Sequence, residues 1–147
     1  MRALGLDYGG KTIGVAVSDP FLVTAVGLET IRRPGEEALK KSVFRLGELI
    51  RQYEVDKIVL GYPKHLDNTE SARSIKTLAF LDKLKRNFKN MEIVLWDERF
   101  SSAAAYKELS AAGVKPGKIR AINDETAAVV ILQNYLDYLN NAKKTAQ

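Results

Sequence analysis

The sequence predicts a mixed α/β domain, with three antiparallel strands followed by two parallel strands in one five-stranded sheet flanked by helices. Three observations predict it. Apolar residues alternate at strand period through the first thirty residues, the period then changes to three and four, and two short apolar runs, "KIVLGY" at 57–62 and "MEIVLW" at 91–96, interrupt the helical stretches. A chain of 147 residues with 46% hydrophobic side chains has the size of one ordinary domain and enough apolar surface for a core. We expect a single domain over 1–140 and a polar, frayed tail over 141–147.

Residues 2–7 ("RALGLD") and 12–19 ("TIGVAVSD") read as strands, because Ile13, Val15 and Val17 alternate with small or polar residues. Gly9 and Gly10 stand where the chain would reverse. A third strand over 22–31 follows Pro20 and completes an antiparallel meander. Over 36–53, Leu39, Val43, Leu46, Ile50 and Tyr53 recur at helical spacing with charges between them. The run at 57–62 is the next strand, and 70–88 a second helix with Ile75, Leu78, Leu84 and Phe88 on one face, before the strand at 91–96. Apolar on both faces, these last two strands are expected to be central and parallel. A short helix over 102–112, ended by Gly113, and a long apolar one over 124–139 complete the elements, with "GVKPGKIRAIN" at 113–123 as a basic Gly/Pro loop between them.

Composition narrows the chemistry. Twenty-three Lys and Arg against 18 Asp and Glu leave a net charge of +5, which suits an anionic partner such as nucleic acid without requiring one. With no cysteine, neither a disulfide framework nor a thiolate metal site is available. The N-terminus lacks a signal-peptide core, and the longest apolar run, "AAVVIL" at 127–132, is far too short to span a bilayer. A cytoplasmic protein with no membrane partner is the expectation.

The stretch "GLDYGGKT" at 5–12 fits the phosphate-loop pattern G-x-x-x-x-G-K-[ST] letter for letter. A phosphate loop works by leading straight into a helix whose first amides and dipole hold the phosphates. Here "IGVAVSD" follows, β-branched and alternating, and Asp7 sets a carboxylate where phosphate oxygens would lie. "IVLWDE" at 93–98 imitates the magnesium-holding partner motif in the same way. We therefore read a hairpin.

What remains is an acid at the end of the first strand. Asp7 alone would be an ordinary turn residue, and Asp124, at the expected start of a helix, an ordinary acid against the helix dipole. Asp97 and Glu98 end a strand expected to be central. If the ends of these two strands, taken as neighbours, and the helix start converge, three carboxylates repel one another unless divalent cations lie between them. Oxygen ligands of this kind suit Mg²⁺ or Mn²⁺, and two such ions together with substrate orient a water for attack on a phosphodiester and stabilise the leaving oxygen. Asp97 and Glu98, adjacent on a strand, point to opposite sides. One is expected to be a ligand and the other structural, with Glu98 favoured.

At these residues the sequence resembles the YqgF family, also described as RuvX or Holliday-junction-resolvase-like proteins. The motifs "LGLDYGGKTIGVAVSD" (4–19), "IVLGYPKHLDN" (58–68), "DERFSS" (97–102) and "NDETAAVVILQNYLD" (123–137) occur in the family's order over nearly the whole chain. The resemblance implies a ribonuclease H-like fold and a nuclease that processes the 5′ end of pre-16S rRNA in ribosome biogenesis, RNA being favoured over DNA and ribosomal precursor particles being the context. An older assignment in the family is resolution of four-way DNA junctions. The resemblance also implies Asp7, Glu98 and Asp124 as the acidic metal-binding triad, with Lys11 and Arg99 facing substrate phosphates. Ser101 and Ser102 stand where the family commonly has threonines, and either hydroxyl can cap a helix or meet a phosphate.

Further cations flank the proposed centre. Lys64, Arg73 and Lys76 cluster after the fourth strand, and Lys115, Lys118 and Arg120 lie in the loop before Asp124; all are expected against a nucleic-acid backbone, the loop as a clamp. His65, the only histidine, is expected to be an exposed loop residue rather than an acid or base. Trp96 and Phe100 are expected in the core, and Tyr8 is a weaker candidate for base stacking. Two other classes are weighed. An actin-like or sugar-kinase ATPase needs two such domains and the chain has length for one, whereas a non-catalytic nucleic-acid-binding module would need no triad. Monomer and dimer stay open.

Overall fold

A computed structural model describes residues 1–35, 38–62, 72–97, 113 and 116–146, and only the backbone of 116–125 and 144–146. Strands β1 (Arg2–Tyr8), β2 (Thr12–Ser18) and β3 (Ala25–Arg32) form the antiparallel meander. Helix α1 (Leu39–Gln52), strand β4 (Val55–Tyr62), helix α2 (Ala72–Asn87), strand β5 (Glu92–Asp97) and helix α3 (Pro116–Ala146) follow. The sheet order is β3-β2-β1-β4-β5, with β1, β4 and β5 mutually parallel.

Two cores sandwich this sheet. On one face Leu4, Leu6, Ile13, Val15, Ile58 and Leu60 pack under α1 and α2, with Leu46 and Phe80 among the fully buried side chains. On the other, the small residues Ala3, Ala16 and Ala25 join Val59 beneath Ala128, Ile131, Leu132 and Leu136 of α3. The small side chains let the long helix lie close. A β-carbon built on Gly5 would come within 2.7 Å of Leu132 Cβ and 3.0 Å of the Ala128 carbonyl oxygen, so α3 crosses β1 at a position only glycine fits.

Several expectations need correction. β3 begins at Ala25, not at 22, because the Asp19 carboxylate accepts amide hydrogen bonds from Phe21, Val23 and Thr24 and holds 19–24 as a turn, with Leu22 left-handed at φ 59°. α2 buries Ser74, Thr77, Phe80 and Leu84, while Ile75 is exposed; of the expected face Leu84 is buried, and two hydroxyl residues share the buried face with it and Phe80. β5 forms the sheet edge, which leaves it only partly buried instead of central. α3 starts at Pro116 and takes in most of the expected basic loop, since proline is favoured in a helix's first turn and Lys118 to Ile122 are able helix formers. It also runs on through the expected frayed tail to Ala146. The expected helix over 102–112 lies outside the described residues, although Gly113 has the left-handed φ of 81° that suits a helix-ending glycine.

Candidate functional site

The opening motif is a hairpin. Gly9 N–H donates to the Thr12 carbonyl at 2.8 Å, and Thr12 is the first residue of β2, so no helix follows the Gly-Gly-Lys-Thr stretch. That excludes the phosphate-loop geometry. Lys11 sits exposed at the turn.

Asp7 lies near the C-terminal end of β1, the middle strand of the sheet. The ends of parallel strands are where open α/β sheets bind ligands. Alternation puts Asp7 on the same face as Ala3 and Gly5, the face that α3 covers. Its side chain is only 13% exposed, and Arg73 Nη2 donates to its Oδ1 at 2.9 Å. Arg73, second residue of α2 and expected to meet nucleic acid, is a cation paired with Asp7.

The floor beneath this carboxylate is tightly held. Tyr8 is buried with its ring centroid 4.3 Å from that of Phe80, so it is a core residue and offers no stacking surface to a base. Arg33 lies over the Tyr8 ring at 5.0 Å, and its Nη2 donates to the Gly9 carbonyl at 2.7 Å. Its backbone N–H donates to the Lys11 carbonyl at 2.9 Å. Arg33 is 6% exposed, and its Nε and Nη1 have no acceptor among the described residues. Sequence reasoning missed it, because nothing in "RRPG" marks one of two adjacent arginines as buried.

β1 and β5 are not neighbours, as the converging-acid expectation assumed: β4 runs between them. Two strand spacings separate Asp7 from the end of β5, about 10 Å across the sheet. Gly61 of β4 pairs with Trp96 of β5, and continuing the register of Leu6 with Leu60 by one step sets Asp7 beside Gly61. A glycine there puts no side chain between the two outer strands. Its identity was the available signal.

The pleat sends the last residues of β5 to opposite faces. Val94 and Trp96 face α3, where Trp96 packs on Tyr135 and Tyr138 with ring centroids 5.5 Å apart in each case. Asp97 pairs with Tyr62 and belongs to the face of Leu60 and Ile93, opposite to Asp7. As the last residue of an edge strand it also borders the open recess that Trp96 shares with Asn134 and Asp137 of α3.

α3 runs antiparallel to β1. Tyr135 hydroxyl accepts from Lys57 Nζ at 3.1 Å, and Lys57 pairs with Ala3; Leu132 and Ala128 lie against Gly5. Moving from Ala3 to Gly5 to Asp7 therefore follows α3 from Tyr135 towards its N-terminus, and one turn beyond Ala128 is position 124. Counted from Pro116, Asp124 is the ninth residue of the helix, well past the first turn, so the helix dipole gives no account of an acid there. Its side chain, and those of Lys118 and Arg120, are outside the described atoms; Glu98, Arg99, Lys64, His65, Phe100 and Lys115 lie outside the described residues altogether. Lys118 and Arg120 stand on helix backbone, not in a loop. Among the described residues no group of three or more metal-ligating side chains occurs, and no helix is long and apolar enough to cross a membrane.

Comparison with known proteins agrees with this architecture. The family model RuvX, described as Holliday junction resolvase, matches residues 1–138. A protein of Agathobacter rectalis named "Putative pre-16S rRNA nuclease" is 47% identical over 143 residues, 97% of this chain and 99% of that one. A Bacillus subtilis protein of the same name is 47% identical over 140 residues, 95% of this chain and 100% of its own. Among solved structures, T. thermophilus RuvC in complex with Holliday junction substrate is similar with a TM-score of 0.59 at 13% identity, covering 95% of this chain and 96% of that one. The fowlpox virus Holliday junction resolvase gives 0.54 at 19% identity, covering 94% and 99%. At such identities the likeness is one of fold, and that fold is the ribonuclease H-like one.

Proposed function

The chain belongs to the RuvX family, and on that premise we propose that it is a divalent-metal-dependent nuclease that hydrolyses phosphodiester bonds at the 5′ end of pre-16S rRNA. It would act in the cytoplasm on ribosomal precursor particles. The observation that carries the reading is Asp7: a largely buried carboxylate at the end of the central strand that already takes a cation as partner.

Asp7, Glu98 and Asp124 would hold Mg²⁺ or Mn²⁺. The donor chemistry fits, since a carboxylate oxygen is the hard ligand such ions prefer, and burial makes an unneutralised Asp7 costly. Two further features support the set. The pleat directs Asp97 away from the face of Asp7, which favours Glu98 of the adjacent pair, and the backbone course of α3 brings position 124 towards Asp7. When bound, the ions supply charge that stabilises the attacking and leaving oxygens of the phosphodiester. The chain's own side chains do the rest. Lys11, at the exposed hairpin turn, and Arg99 would hold phosphates; Lys64, Arg73, Lys115, Lys118 and Arg120 would extend the track along the backbone.

Wild type and Asp7→Asn, purified identically, are to be compared on a labelled pre-16S rRNA 5′ segment, on unstructured RNA and on a four-way DNA junction, with Mg²⁺, Mn²⁺ or EDTA. The expected result is cleavage of the rRNA segment that needs metal and is lost in the variant. Preference for the junction would move the substrate to branched DNA, as the family description states. Wild-type rates in Asp7→Asn would remove the metal-centre reading. Binding without cutting on every substrate would make the chain a nucleic-acid-binding module.

A further inference from the structure

We infer that Arg73 is a resident cation of the carboxylate centre: it positions Asp7 and competes with the divalent ion for the same carboxylate. The inference rests on the proposed metal reading of Asp7 and adds a residue to it.

The two partners of this pair are unequally exposed. Asp7 is 13% exposed and poorly hydrated, whereas Arg73 is 51% exposed, so water reaches the guanidinium more readily than the carboxylate, and a cation beside Asp7 offsets the cost of its burial. The backbone of Arg73 is held in the helix. Thr77 Oγ1 donates to the Arg73 carbonyl at 2.9 Å, and one turn further Phe80 packs against Tyr8, the neighbour of Asp7. Arg73, Lys76 and Thr77 border a recess of about 20 Å³ against Gly9 and Gly10, which has room for little more than one water.

A guanidinium and a divalent ion on one carboxylate repel each other, and the recess, as the described residues line it, is too small for a guanidinium. Arg73 would therefore turn outward when Asp7 holds an ion. Its planar fork of N–H donors then matches a phosphate, next to the hairpin that carries Lys11. Metal binding and nucleic-acid binding become coupled through one side chain, each favouring the other.

The test is a Mn²⁺ titration of the free protein, without nucleic acid, following the paramagnetic resonance signal of unbound Mn²⁺. Arg73→Gln is expected to bind Mn²⁺ roughly three- to tenfold more tightly than wild type. Lys11→Gln, which removes one positive charge from the neighbouring turn, is expected to change affinity by less than about twofold. Asp7→Asn is expected to lose the site. If Asp7→Asn loses the site while Arg73→Gln binds no more tightly than wild type, competition is wrong and the metal reading stands. An equal gain in Lys11→Gln would reduce the effect to general charge and also overturn it. If Asp7→Asn binds as wild type does, or no variant binds, the metal reading fails and the competition with it.

Discussion

Leu132 of α3 rests directly on Gly5 of β1, so closely that a β-carbon at position 5 would lie 2.7 Å from Leu132 Cβ and 3.0 Å from the Ala128 carbonyl oxygen. Both atoms are rigid, one a β-carbon and the other backbone, and neither moves out of the way by a rotamer change. Gly5→Ala is expected to destabilise the fold by about 1–3 kcal/mol, the usual cost of overpacking a well-filled core. Urea denaturation measures it. The same helix carries Asp124 one turn beyond Ala128, so cleavage in Gly5→Ala should fall more than the loss of folded protein explains.

Arg33 fastens the hairpin from below, with Nη2 on the Gly9 carbonyl and the guanidinium over Tyr8. A buried charge-assisted hydrogen bond contributes on the order of 1.5–3 kcal/mol, set against the desolvation of the two nitrogens that have no acceptor among the described residues. Arg33→Ala is expected to cost about 1–3 kcal/mol and to loosen Gly9 and Gly10. Amide hydrogen exchange at Gly9, whose N–H bonds the Thr12 carbonyl, reports the second effect directly. Unchanged exchange there would mean that the reversal is held by its own backbone alone.

Asp19 organises the turn before β3. Backbone amides of Thr24 and Val23, then Phe21, hold its carboxyl below the ordinary aspartate value. A depressed folded pKa contributes stability that is fully present above the unfolded value of about 3.9 and is lost as pH falls through the folded one. Asp19→Asn is therefore expected to weaken the protein at neutral pH and to flatten its stability profile below about pH 4. Thermal melts of both proteins between neutral and acid pH check the difference.

Lys11 stands exposed at the turn after Asp7. If it meets a phosphate, Lys11→Gln should weaken binding to all sequences alike and reduce the slope of log affinity against log salt by about 0.7 for a single strand. Fluorescence anisotropy with a labelled oligonucleotide over a KCl series gives the slope. An unchanged slope would take Lys11 off the phosphate track.

Local chemistry made much of this protein legible in its letters. Strand alternation in "TIGVAVSD" and the absence of a helix former after Gly-Gly-Lys-Thr settle the hairpin, because periodicity and glycine chemistry act over a few residues. The order of strands and helices along the chain, and Trp96 as a packing residue, follow from the same kind of signal. Asp7 was visible as an acid closing a strand.

Long-range packing decided the rest. The buried face of α2 takes in Ser74 and Thr77 with Phe80 and Leu84, whereas hydrophobicity alone pointed to Ile75 beside Leu84. That β4 separates β1 from β5 is a property of sheet order, which no strand encodes by itself. The start of α3 turned on whether Pro116 opened a helix or closed a loop, two roles proline fills equally well. Above all, charge pairing is set by distance in space. Arg73 and Asp7 are 66 residues apart along the chain and 2.9 Å apart in the fold, and Arg33, not the adjacent Arg32, is the arginine buried over Tyr8. The sequence alone determined which elements form and that an acid closes the first strand; only the tertiary structure decided which cations reach it, because a carboxylate responds to its nearest charge in space.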